Sequence, residues 1–120
     1  MTRVLLVEDD AWLAELEASI ISEAGYEVLI APHAPAAIDL VDSFHPEIIV
    51  LDVLLAGSTA FALLNELQSY SDTGIVPVIL CTNIADQFDA KKLKEYGVME
   101  VVDKTTMRPE DIITAIRSVS

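Results

Sequence analysis

The sequence predicts an α/β domain built on a five-stranded parallel sheet, doubly wound, with helices on both faces. Three observations lead there. Short, continuously apolar runs alternate with longer segments whose apolar residues recur at intervals of three and four, the rhythm of a repeated βα unit. Runs such as Ile48-Ile49-Val50-Leu51 show no apolar-polar alternation, so their strands are buried on both sides, as between two helix layers. Hydrophobic residues fill 52% of the 120 positions, enough for one core covered on more than one side.

Taken in order, the first strand runs from Arg3 to Val7. A helix follows from about Asp10 to Ala24, with Leu13, Leu16 and Ile20 on one face and Gly25 as its stop signal. Glu27 to Ala31 reads as the second strand. Ala34 to Phe44 reads as the second helix, ended by the turn-forming His45 and Pro46. Ile48 to Leu51 is the third strand, and Leu63, Leu64 and Leu67 mark the third helix. Val76 to Leu80 is the fourth strand, Phe88 to Tyr96 a helix ending at Gly97, and Val98 to Val102 the fifth strand. Arg108-Pro109-Glu110-Asp111 opens the last helix with proline and acids in its first turn, as the helix dipole favours. No linker, charge block or repeat divides the chain, so residues 1–120 read as a single domain.

Seven basic residues against twenty acidic ones give a formal net charge of −13. That field repels nucleic acid and anionic membrane and concentrates divalent cations, which argues against direct nucleic-acid or membrane binding by this chain. A lone Cys81 forms no internal disulfide, no leader pattern opens the sequence, and no apolar run approaches the roughly twenty residues that span a bilayer. The expected compartment is the cytoplasm.

In an open parallel sheet, ligands gather beyond the carboxyl ends of the strands, near the point where the winding reverses. Those ends carry Glu8-Asp9-Asp10, Asp52, Thr82-Asn83 and Asp103-Lys104. Acids crowded at the edge of an apolar sheet need a cation, a shared proton or a nearby base. A hard divalent ion and Lys104 would supply both charges, and magnesium suits one or two carboxylates plus a phosphate oxygen. Such a set of groups suits phosphoryl transfer.

The runs Val4-Leu5-Leu6-Val7-Glu8-Asp9-Asp10, Ile48-Ile49-Val50-Leu51-Asp52 and Pro77-Val78-Ile79-Leu80-Cys81-Thr82, followed by Lys104, resemble response-regulator receiver domains of two-component signalling, in order and over the whole chain. That resemblance implies a flavodoxin-like winding with strand order 2-1-3-4-5. It implies Asp52 as the phosphoacceptor, and Mg2+ held by Glu8, Asp9, Asp52 and the backbone carbonyl of Leu54. Lys104 would pair with the acceptor and then with a phosphate oxygen, and Thr82 would sense the phosphate. The implied partners are a sensor histidine kinase or histidine phosphotransfer protein and a downstream effector, with the chain a monomer or weak homodimer. It would be no enzyme in the ordinary sense, only assisting its own phosphorylation and dephosphorylation. Asp10 suits a helix cap better than the ion.

Several positions depart from the family pattern. Val101 stands where an aromatic switch residue is usual, Thr105 follows Lys104 in place of proline, Ala56 replaces a common proline and Asn83 a small residue. Leu54 and Ile84 are apolar at the two positions that flank an attacking water, which predicts slow self-hydrolysis of the acyl phosphate. A rival expectation is a degenerate receiver acting as a phosphorylation-independent interaction module. A flavin carrier is disfavoured by the acids after strand one, and a haloacid dehalogenase-type phosphatase by the apolar Leu54. Lys91, Lys92 and Lys94, His33, His45 and Cys81 are read as surface or structural residues, and Trp12 as a half-buried helix residue.

Overall fold

A computed structural model of the protein describes residues 1–52, 57–69, 76–83 and 89–120, with the backbone alone for 57–61 and 90. Strands and helices alternate throughout: β1 (Arg3–Glu8), α1 (Ala11–Glu23), β2 (Glu27–Ala31), α2 (Ala34–Phe44), β3 (Ile48–Asp52), α3 (Gly57–Ser69), β4 (Val78–Thr82), α4 (Ala90–Glu95), β5 (Val98–Asp103) and α5 (Pro109–Val119). The five strands form one parallel sheet in the order β2-β1-β3-β4-β5. The chain therefore starts in the middle, winds to one edge and returns to build the other. Fold class and strand order match the sequence expectation.

Both sheet faces are buried, because β1, β3 and β4 are apolar at odd and even positions alike. Leu5, Val7, Ile49, Leu51, Val78 and Leu80 form one core with residues of α2, α3 and α4. Val4, Leu6, Ile48, Val50, Ile79 and Cys81 form the other with Ile21 of α1 and with Ile112, Ile113 and Ile116 of α5. Each fully buried aliphatic side chain contributes roughly 1.5–3 kcal/mol.

Local signals set the element ends. Asp10 Oδ1 accepts the Leu13 N–H and caps α1, and Gly25, at φ 99°, takes the left-handed turn after the helix. His33 Nδ1 accepts the Ala36 N–H at the start of α2, and His45 closes that helix at φ 52°. Pro109 sits in the first turn of α5, where Asp111 Oδ2 accepts the Arg108 N–H. The Gln68 amide clamps three backbone groups at the sheet's amino end. It donates to the Val76 and Tyr96 carbonyls and accepts the Val76 N–H.

Three strands run further than the apolar runs suggest. β1, β3 and β5 each take in the terminal acid, Glu8, Asp52 or Asp103, and β4 starts after Pro77 and ends at Thr82. Ladder pairing continues as long as neighbouring backbones stay in register, and Glu8 pairs with Asp52 at the end of the β1–β3 ladder. α4 is shorter than expected, with Asp89 as its cap, and Phe88 lies outside the described residues. No cis peptide bond occurs among the described residues.

The inward face of α1 also differs from the expected one. The buried positions are Ala14, Glu17 and Ile21, while Leu16 is 39% and Trp12 74% exposed. Trp12 is thus a surface residue, not the half-buried one expected. Small residues at Ala14 and Ala18 let the helix lie close to the sheet, and this outweighs the larger side chains one position away.

Leu5→Ala, in a fully buried strand beside the sheet centre, should cost about 2–5 kcal/mol in urea denaturation. Leu29→Ala on the edge strand, already 39% exposed, should cost under about 1 kcal/mol. Equal losses would contradict the layered core.

Candidate functional site

Side-chain alternation decides where the strand-end acids point. Ile48 and Val50 face α1 and α5, and so do Val4 and Leu6; Asp52 and Glu8 continue the same two series. Their register pairing sets them side by side on the α1 face, where Glu17 approaches from the helix. Carboxylate oxygens of Glu8, Glu17 and Asp52 lie within 4.8 Å of one another. All three residues are buried, at 1%, 2% and 0% exposure.

Lys104, just past β5, is the cation that meets this cluster among the described residues. Its Nζ lies 2.5 Å from Asp52 Oδ1. The Lys104 N–H donates to the Thr82 carbonyl at 2.9 Å, which fixes the lysine against the end of β4. Asp103 Oδ1 accepts both the backbone N–H and the hydroxyl of Thr105, at 2.9 and 2.6 Å, closing the turn after the lysine. These two bonds hold the exposed Asp103 below its ordinary pKa, the hydroxyl contact first.

Few donors serve the acids. Glu8 Oε1 accepts the Asp10 N–H at 3.0 Å. Glu8 Oε2, both Glu17 oxygens and Asp52 Oδ2 have no hydrogen-bond partner among the described residues. Burial, then the neighbouring Asp52, pushes Glu8 up from 4.5 to about 8, against the pull of the Asp10 N–H. Glu17 rises to about 9 through burial, then Asp52 and Glu8. Burial alone would lower Lys104, but its contact with Asp52 and the attraction of the other acids outweigh it, so the ammonium stays charged. The Cys81 thiol is pushed up by burial and by the acids, and remains an inert thiol.

Buried carboxylates without donors cost several kcal/mol each when ionised, unless a cation joins them. The donor set here, all carboxylate oxygen with one ammonium, fits a hard divalent ion such as Mg2+. An open cleft lined by Glu8, Asp9, Asp10, Leu13 and Lys104 leads to it from solvent.

The structure thus brings together Glu8, Asp52 and Lys104, with Thr82 at the neighbouring strand end. Thr82 continues the series of Val78 and Leu80, which join the core packed by α2, α3 and α4, as does the partly buried Val101. Asp9 stands exposed at the cleft mouth, apart from the buried cluster. Leu54, Ala56 and Ile84 lie outside the described residues. Sequence reasoning missed Glu17. The signal was an acid inside the small-apolar stripe Ala14-Glu17-Ala18-Ile21.

A sequence profile described as the response regulator receiver domain matches residues 4–117. Sensory transduction protein RegX3 of Mycobacterium tuberculosis is 32% identical over 119 residues, which are 99% of this chain and 51% of that protein. Phosphate regulon transcriptional regulatory protein PhoB of Escherichia coli is 25% identical over 117 residues, 98% of this chain and 51% of that protein. The chain spans about half the length of these curated relatives. Among solved structures, response regulator TrrA of Thermotoga maritima in complex with Mg(2+)-BeF superposes with a TM-score of 0.79 at 21% identity, over 100% of both chains. Chemotaxis protein CheY4 of Vibrio cholerae gives 0.79 at 22%, over 100% of this chain and 99% of that one. At these identities the structural likeness speaks for the fold.

The raised acids set a pH dependence. Folded Glu8 and Glu17 keep protons that the unfolded chain has already released above about 4.5, so the folded state binds more protons in that window. The contribution of these two acids to the stability of the metal-free protein should therefore be fullest below 4.5 and be lost as pH rises to 8 and 9. Thermal melts in chelator at pH 5, 7 and 9 should show falling midpoints, millimolar Mg2+ should recover most of the loss, and Glu17→Leu should flatten the slope. A midpoint rising with pH would show that these acids ionise at no cost.

Proposed function

The chain belongs to the response regulator receiver domain family, and from that membership and the site geometry we propose that it takes a phosphoryl group onto Asp52 in a Mg2+-dependent reaction and switches partner binding as a result. The observation that carries this reading is the contact of Lys104 Nζ with a fully buried Asp52 whose second oxygen lacks a donor among the described residues. A carboxylate held without donors on one oxygen, beside a fixed ammonium, is a nucleophile kept available and oriented.

Glu8 and Asp52 would hold the ion, with Asp9 at the cleft mouth and the Leu54 carbonyl as a further ligand. When bound, Mg2+ supplies the positive charge that offsets the transferred group's oxygens. An Asp52 carboxylate oxygen attacks phosphorus as the bond from phosphorus to the donor's histidine nitrogen breaks; that nitrogen keeps the bonding pair, and the ring, already protonated on its other nitrogen in the phosphohistidine, departs as neutral imidazole. Lys104 follows the charge from the carboxylate to a phosphoryl oxygen. Its backbone bond to Thr82 keeps the two switch groups in one unit. The Thr82 hydroxyl then gains a phosphate contact that exists only in the modified protein, and this shifts the population a partner reads.

The donor would be a sensor histidine kinase or histidine phosphotransfer protein in the cytoplasm, and the reader an effector protein or domain. The chain acts as a phosphoacceptor, not as an enzyme turning over a substrate. Among the described residues no helix is long and apolar enough to cross a membrane.

Incubation with acetyl phosphate or phosphoramidate and Mg2+ should add one phosphoryl mass to the wild type, none to Asp52→Ala and none in chelator. Lys104→Ala should label more slowly by at least about tenfold, the loss of one charge-stabilising group. Beryllofluoride with Mg2+ should alter the wild-type spectrum. No response in the wild type, or the same response in Asp52→Ala, would favour the phosphorylation-independent interaction module instead.

A further inference from the structure

The buried cluster contains one carboxylate more than the reading above uses. Glu17 is 2% exposed, has no donor on either oxygen among the described residues, and reaches from α1 to within 4.8 Å of Glu8 and Asp52 oxygens, while Asp9 lines the open cleft. A buried acid of this kind is ordinarily paired, and here the described neighbours that face it are two further acids and Lys104, which is already engaged with Asp52.

Charge and coordination number point the same way. With all three ionised, the state a bound cation favours, three interior carboxylates against one ammonium leave two negative charges, which a single divalent cation cancels. A third interior carboxylate also fills a coordination position that a water molecule would otherwise hold. Mg2+ gives up its waters reluctantly and holds few carboxylates, whereas Ca2+ accepts six to eight oxygens, mono- or bidentate, in a flexible shell. Resting on the reading of this pocket as a cation site, we propose that Glu17 is a direct ligand of that site and sets its selectivity, raising affinity for Ca2+ relative to Mg2+ above what Glu8, Asp9 and Asp52 provide.

Titration calorimetry of the unphosphorylated full chain with MgCl2 and with CaCl2, for wild type, Glu17→Gln and Glu17→Leu, tests this. The ratio of Ca2+ to Mg2+ affinity should fall by about tenfold or more in both variants, equal to 1.4 kcal/mol. A buried acid with a purely structural role would alter stability or both affinities together and leave the ratio unmoved. A ratio unchanged or raised in the variants, with the wild type binding cations, overturns the Glu17 assignment and leaves the phosphoacceptor reading standing. Should the wild type bind neither ion at millimolar concentration, the pocket is no cation site and both fall. Circular dichroism checks folding, and if the glutamine variant unfolds, the leucine variant decides.

Discussion

Three carboxylates shut away from water, with one ammonium among them, are the constraint on which the functional end of this molecule depends. The sheet itself is easily explained, since apolar strands between two helix layers stabilise each other wherever they occur. Placing Glu8, Glu17 and Asp52 at the end of that apolar slab works against it. The Lys104 contact offsets part of the cost and directs the rest toward binding positive charge. Asp52 and Lys104 have a place in the phosphoacceptor reading proposed above, whereas Glu17 has none in it.

The sequence made the scaffold readable because its information is local. Continuous apolar runs located every strand to within a residue or two, and the caps at Asp10 and Pro109 lay where side-chain chemistry demands. The site was legible where acids follow strands. Strand ends were misjudged because the ladder carries polar residues as readily as apolar ones, so Glu8 and Asp52 proved to be strand residues sealed inside. Glu17 was illegible for a related reason. Helical periodicity counts apolar residues, and the stripe that faces the sheet is small and contains an acid, while the bulkier Leu13-Leu16-Ile20 series turns partly outward.

The second half of the site divides between the two sheet faces. Asp52 and Glu8 look toward α1 and α5, whereas Thr82 and Val101 belong to the face packed by α4. Lys104 joins the two, its ammonium on Asp52 and its backbone on Thr82. Val101, next to this junction, is a short branched side chain packed against the core. The β4–β5 ladder beside this junction breaks register between Val78 and Ile79 and stays paired from there to Thr82 and Asp103.

Helix α1 behaves as a rod with a charged peg on its inner side and greasy knobs on its outer side. Glu17 is the peg, held against the acids of β1 and β3, and Trp12 and Leu16 are the knobs, one turn apart and open to solvent. The buried acid and the exposed indole thus stand on the same thirteen-residue helix. An optical probe therefore sits on the very element that carries the interior charge.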